Sequence, residues 1–265
     1  MTRSEIENRI KALEVELVVA TTEADGKKVS INGSFGKLGS KYSTLYSPDL
    51  MLQVTLSGQL SLLMLIERLE WAGIPVVSAN TDGIVIRCPK NMRLHMGLIV
   101  AQWEKETDFT TEETEYSALF SRDINNYAAI KLKGGVKTKG CFSDTSLSKN
   151  PTNTICRDAL IAFLEHGTPI HDTIWNCRDI RKFLSVRTVK GGAVKDDQYL
   201  GKAIRWYQST QVVGDIIYAA NGNKVPSSEN CRPLMELPAE FPDDVDFARY
   251  EVETIEMLKE IGYGN

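Results

Sequence analysis

Four side chains in the first third of the chain have the types and spacing to do chemistry. Lys28, Asn32 and Phe35 stand at i, i+4 and i+7 in Lys-Val-Ser-Ile-Asn-Gly-Ser-Phe-Gly. On a helix that spacing puts all three on one face. A cation, an amide and an aromatic ring in one line suit a nucleotide: Lys for phosphates, Asn for polar edges, the ring against sugar and base. The same line also reads as a partly solvated helix with one buried Phe. The fourth residue, Asp82, sits in Val-Val-Ser-Ala-Asn-Thr-Asp-Gly-Ile-Val-Ile, residues 76–86. Two β-rich runs around Asp82-Gly83 predict a hairpin whose tight turn takes its positive φ from Gly83. Such a hairpin lifts one carboxylate out of an apolar sheet, although Asp-Gly is also ordinary turn chemistry.

The elements that must position these residues follow from pattern. Ile6, Ile10, Leu13 and Leu17 mark an amphipathic helix from Thr2 to about Val18. Asp25-Gly26 predicts a turn, with a second helix returning antiparallel from Lys27 and ending at Gly36 and Gly39. Ser47-Pro48-Asp49 starts another helix, with Ser as cap, Pro in the first turn and Asp at the positive end of the dipole. It should run to Ala72, stop at Gly73 and be the longest element. Leu52, Leu56, Leu60, Leu63 and Ile66 predict a core helix under a sheet. The apolar stretch Leu50–Ile66 is interrupted by polar side chains and reads as a buried helix rather than a membrane span.

Residues 92–105 read as helical, Asn125–Leu132 as a strand, Gly134-Gly135 as a turn, and Val136–Phe142 as the strand pairing back. The fold class expected is α+β, an antiparallel sheet with long helices on one face. A polar run, Asp144–Asn153, predicts a domain boundary. Beyond it the pattern gives helices from Asn153 or Thr154 to His166 and from Thr168-Pro169 to about Val186. A strand near Asp215–Ala220, a turn at Asn221-Gly222 and a last helix over about Val245–Ile261 follow.

Hydrophobic residues make up 42% of the 265 and charged residues 25%, as in a soluble globular protein. The net charge of −4 does not by itself announce a nucleic-acid binder. The charge is uneven, however: Arg178, Arg181, Lys182, Arg187, Lys190, Lys195, Lys202 and Arg205 face only Asp179, Asp196 and Asp197 in that segment. This reads as a solvated face or as phosphate contacts along DNA. Five cysteines without a Cys-x-x-Cys pair, and three histidines, predict reduced, buried thiols and no zinc site. With no apolar signal region at the N-terminus, the expected location is the cytoplasm, that of the bacterial host if the gene is a phage's. His166 and His171 read as structural, and Trp175, Trp206 and Tyr207 as core.

The motif Lys28-x-x-x-Asn32-Gly33-x-Phe35-Gly36 resembles the Lys-x-x-x-Asn-Ser-x-Tyr-Gly motif of family B DNA polymerases. Val76–Ile86 resembles the Asp-Thr-Asp hairpin of that family, and Asn125-Asn126-Tyr127 its Lys-x-Tyr motif. The order matches, with the long helix between the first two. The C-terminal third resembles the thumb of bacteriophage-type members, so the likeness spans about residue 20 to the end. It implies fingers helices over 1–40, part of the palm over 41–145 and a mainly helical thumb over 146–265. It also implies template-directed deoxynucleotidyl transfer to a primer 3′ end with two Mg²⁺ ions. On that likeness Asp82 is a catalytic metal ligand, and Lys28, Asn32 and Phe35 hold the incoming dNTP. Tyr127, Lys131, Arg181, Lys182, Arg187 and Lys190 contact primer-template DNA.

The sequence departs from the family at named places. Asn80 stands for the first Asp of the hairpin, Gly33 for Ser, Phe35 for Tyr and Asn125 for Lys. The earlier Asp-x-x-Ser-Leu-Tyr-Pro-Ser segment, which supplies the other metal-binding carboxylate, has no counterpart here, nor has the proofreading exonuclease. One strong carboxylate does not hold two divalent ions. The expectation is therefore a C-terminal half, inactive alone and starting at its own Met1. It would join an N-terminal half that carries the missing carboxylate, with or without an exonuclease, and no membrane is involved. A prophage remnant or truncated gene reads the same way. The alternative is a non-catalytic DNA-binding remnant or subunit; a generic α+β interaction domain is the third reading.

Overall fold

A computed structural model describes residues 3–145 and 150–263. The chain is α+β and divides into two compact units, one ending at Thr111 and the other beginning at Glu112. The boundaries expected at 40/41 and 145/146 thus fall inside the units. Thr2, the expected helix start, and residues 146–149 of the expected boundary run lie outside the described residues.

The first unit opens with α1, Arg3–Leu38, one uninterrupted helix of 36 residues. This corrects the expected pair of antiparallel helices. Asp25 and Gly26 do not break it because neither forbids helical φ and ψ. An interior Gly costs only about 1 kcal/mol against Ala, and no proline interrupts the run. Hydroxyls along the helix donate back to it: Thr21 to the Leu17 carbonyl and Ser30 to the Gly26 carbonyl. The end falls where Gly36 and Gly39 predicted it. No described residue of α1 is buried, and α1 rather than the next helix is the longest element.

Helix α2, Pro48–Trp71, starts and stops where the sequence predicts, with Gly73 at φ 78° beyond its cap, but the Ser47 side chain makes no capping hydrogen bond. Its burial is the second correction. Leu52 is 56% exposed and Leu60 63%, with Leu56 and Leu63 also exposed. The buried side chains are Leu65 and Leu69, near its C-terminal end. These pack with Ile74 and with Met96 and Trp103 of α3, Arg93–Thr107. The Trp103 indole N–H donates to the Ser61 carbonyl at 2.7 Å, fixing α3 against α2. The spacing of leucines reports an apolar face, but only its last two turns meet cover within the unit. By length and composition alone, α2 is the one described helix long and apolar enough to cross a membrane. The hairpin follows: β1, Val76–Ala79, pairs antiparallel with β2, Ile84–Ile86, and both lean on the same cluster.

The second unit has a three-stranded antiparallel sheet of β3, Tyr116–Asp123, β4, Asn126–Lys131, and β5, Val136–Lys139, in that order. Ala128, Val136 and Phe142 pack against Leu160 of α4, Thr154–His166, and Leu258 of α6, Phe247–Glu260. After a short α5, Ile170–Trp175, the chain turns extended. Strands β6, Ser185–Lys195, and β7, Gln198–Gln208, form a long hairpin. Short strands β8, Ile217–Tyr218, and β9, Cys231–Pro233, flank it.

This is the third correction. The helix expected to reach Val186 ends at Trp175, and the portion after residue 146 is mixed rather than mainly helical. Val189, Leu200, Ile204 and Trp206 fill the core of this sheet. β-Branched and aromatic residues fit a pleated surface better than a helix there. Asp196 and Asp197 close the hairpin at φ 47° and 63°, the paired positive angles that a tight two-residue turn needs. Trp206 and Tyr207 are buried as expected; Trp175 is 39% exposed, stacked between His171 and Phe247. All five cysteines are free, but only Cys156 and Cys231 are buried, and Cys141 is exposed.

Candidate functional site

Lys28, Asn32 and Phe35 fall on one face of α1, as their spacing requires, and all three are exposed. The aromatic ring is therefore available to a ligand rather than spent in a core. Asp82 is exposed in the loop that joins β1 to β2. That loop is four residues, Asn80–Gly83, closed by the Asn80 N–H donating to the Gly83 carbonyl at 2.8 Å. Gly83 does not take the positive φ that a two-residue turn would demand of it. The Asn80 side chain is engaged in the loop, its Oδ1 accepting from the Thr81 N–H at 2.7 Å and the Thr81 hydroxyl at 3.3 Å. Among the described residues no hydrogen bond or ion pair joins Asp82 to Lys28, Asn32 or Phe35.

No three His, Cys, Asp or Glu side chains among the described residues are grouped to hold a metal ion. Two Mg²⁺ ions demand an oxygen-rich, anionic set of ligands. One exposed carboxylate beside an amide already used in its own loop does not fit that demand. The donors among the described residues do not make a two-ion site.

In the second unit, Tyr127 sits on the central strand β4, opposite Ser121 of β3 and Lys139 of β5. Residues directly opposite share a face of the sheet, and so do residues two apart. Tyr127, Lys131, Lys137 and Lys139 therefore lie on one face. Ala128, Ile130, Val136 and Thr138 lie on the other, where Ala128 is in the core and the partly buried Val136 packs against it. Thus the sheet turns a tyrosine and three lysines to the side opposite Ala128, around Ala129, which is itself buried. Sequence reasoning had Tyr127 and Lys131 but missed Lys137 and Lys139. The signal was the alternation Val136-Lys137-Thr138-Lys139, which a strand converts into a row of cations.

The remaining basic candidates are not equivalent. Arg181 is held in a two-pronged pair by Asp179, at 2.7 and 2.8 Å, and the Lys182 ammonium lies 2.8 Å from Asp158. These hydrogen bonds raise the pKa of both cations, and that from Arg181 holds Asp179 below the usual carboxylate range. A phosphate would have to compete with those carboxylates. Arg187 is half-buried on β6 opposite Ile204, whereas Lys190 is exposed beside the Gly191-Gly192 bulge. Lys195 is buried and donates to the Val213 and Gly214 carbonyls, a structural role.

One buried acid, Asp244, and one half-buried acid, Glu253, went unnoticed in the sequence. Burial pushes the Asp244 carboxyl up, but hydrogen bonds from Ser209, Tyr207 and Arg232 outweigh it and hold the group below its usual range. Glu253 is instead pushed up, chiefly by burial, although the Asn153 amide donates to it. Both sit among core residues and serve the fold. No protein-family model matches the chain, and comparison with curated proteins finds no match.

Proposed function

We propose that the chain is the C-terminal portion of a bacteriophage-type family B DNA polymerase. In this reading α1 belongs to the fingers, α2 and the β1–β2 hairpin to the palm, and the residues after 146 to the thumb. The observation that carries it is the sheet face formed by Tyr127, Lys131, Lys137 and Lys139. It carries three lysines and the Tyr127 ring around the buried Ala129. Phosphates on a duplex backbone are held by such cations without regard to sequence. The order of Lys28, Asn32, Phe35 and Asp82 along the chain, with α2 between, adds the nucleotide-binding part of the reading.

The chain supplies one carboxylate to the chemistry, so nucleotidyl transfer belongs to an assembly. The missing carboxylate comes from polymerase residues outside this sequence, and the residues of this sequence alone are inactive. In the assembly Lys28 meets the triphosphate, and Asn32 and Phe35 border the nascent base pair. The test is primer extension with Mg²⁺ after co-expression with neighbouring reading frames. Extension that needs both chains and is lost in Asp82→Ala supports the reading; extension by this chain alone refutes it.

A second reading, a non-catalytic DNA-binding subunit, is favoured by one observation. Asn80 is committed to its own loop, and among the described residues Asp82 belongs to no group of three side chains that could hold a metal ion. Salt-sensitive duplex binding without extension in any assembly would select this alternative.

A further inference from the structure

Helix α1 carries an apolar seam with a heptad period. Ile6, Ile10, Leu13, Leu17, Ala20 and Ala24 follow one another at spacings of four and three. This is the d–a–d–a–d–a pattern of a coiled coil, over three heptads, and it ends at Lys27, the next d position. None of these side chains is covered: Ile6 is 46% exposed, Ile10 49%, Leu13 47% and Leu17 67%. A helix of this length draws most of its stability from burying such a stripe, not from propensity. The seam is therefore one half of an interface.

The flanking charges say what the other half is. The g positions are Arg9, Glu16 and Glu23, and the e positions that follow them are Glu14, Thr21 and Lys28. In a parallel pair of identical helices each g residue meets the e residue five places on in the other copy. Arg9 then faces Glu14, Glu16 faces Thr21, and Glu23 faces Lys28. Arg9–Glu14 and Glu23–Lys28 each occur twice, so four contacts per dimer are between opposite charges and none is between like charges. An antiparallel pair on the same seam would set Arg9 against Glu23 twice but also Glu14 against Glu14 and Glu16 against Glu16, two repulsive contacts at its centre that the parallel pair lacks.

We infer that α1 of one chain pairs in parallel with α1 of a second copy, making the protein a dimer through residues 6–24. The inference goes beyond the polymerase reading and does not rest on it. Lys28, which that reading assigns to the triphosphate, enters only the last pair, and the first two heptads do not involve it.

Sedimentation equilibrium of the full chain between 1 and 100 μM tests this. The wild type is expected to be a monomer–dimer system. Leu13→Glu, in the seam, should be monomeric throughout, whereas Val18→Glu, on the outer face of the same helix, should dimerise as the wild type does. Arg9→Glu creates two repulsive contacts per dimer and should weaken association roughly tenfold. Adding Glu14→Arg to it restores opposite charges only in the parallel register, and should return the wild-type constant. A monomeric wild type, or equal loss in Leu13→Glu and Val18→Glu, would overturn the proposal. So would a double variant no better than Arg9→Glu alone.

Discussion

Tyr127 on β4 lies directly across from Lys139 on β5, and the pair stands on the side of the sheet opposite Ala128, which is fully buried. The register decides the direction of every neighbour. It sends Lys131 and Lys137 to the side of Tyr127 and sends Val136 against the core. A shift of one residue would exchange the two sets.

If that face carries duplex DNA, Lys137→Glu and Lys139→Glu should weaken binding without unfolding the sheet. Each lost phosphate contact should lower the slope of log affinity against log salt by about 0.9. The double variant should therefore show a slope smaller by about 2, in a fluorescence-anisotropy titration of a primer-template duplex. Lys182→Ala should move the slope less, because its ammonium is engaged by Asp158. An unchanged slope in the double variant would remove the sheet face from the interface.

Asp244 makes stability fall in acid. Its folded pKa is depressed because the hydrogen bonds from Ser209, Tyr207 and Arg232 outweigh burial. Its contribution is thus present above the unfolded value, about 3.9, and is lost as pH falls through the lower folded value. Asp244→Asn should cost about 2–3 kcal/mol at pH 7, since it weakens charged hydrogen bonds in a buried site. The cost should shrink at pH 3. Urea denaturation at the two pH values measures it; an equal cost at both would contradict the assignment.

Glu253 has the opposite sign. Burial raises its folded pKa, so its contribution is fully present below the unfolded value, about 4.3, and is lost as pH rises through the folded value. Glu253→Gln keeps the shape and removes the ionisation. The variant should melt higher than wild type at pH 8 and alike at pH 4. A lower melting temperature at pH 8 would show that the carboxylate is needed charged.

Gly192 adopts φ +88°, and a Cβ there would run into the Tyr199 ring across the hairpin. Gly192→Ala should destabilise the second unit by more than about 1 kcal/mol, because Ala at positive φ is strained and the ring must also move. Differential scanning calorimetry would register it; a neutral substitution would mean that the bulge rearranges freely.

What was legible in the sequence was the local punctuation. Ser47-Pro48-Asp49, Gly73, Gly134-Gly135 and Gly167 each fall where an element begins or ends. What was not legible depended on partners elsewhere in space. Asp25-Gly26 has turn composition, but a helix runs through it because nothing nearby competes for its backbone. Leu52, Leu56, Leu60 and Leu63 have core composition, yet the first unit places nothing over them. The β6–β7 hairpin was hidden because its charges suggested a solvated or phosphate-binding face and no element of its own. The alternation of buried Val189 with exposed Lys190, and of exposed Arg205 with buried Trp206, carried the strand signal. At the candidate site the face of Lys28, Asn32 and Phe35 followed from spacing alone. The lysines beside Tyr127 did not, because they depend on the strand pairing.

The most direct test of the central claim is primer extension by the chain co-expressed with the reading frames that flank it. The account predicts Mg²⁺-dependent extension that requires both chains, disappears in Asp82→Ala, and is weakened in Lys28→Ala through a higher dNTP requirement. Extension that survives Asp82→Ala, or that the chain performs alone, would contradict it.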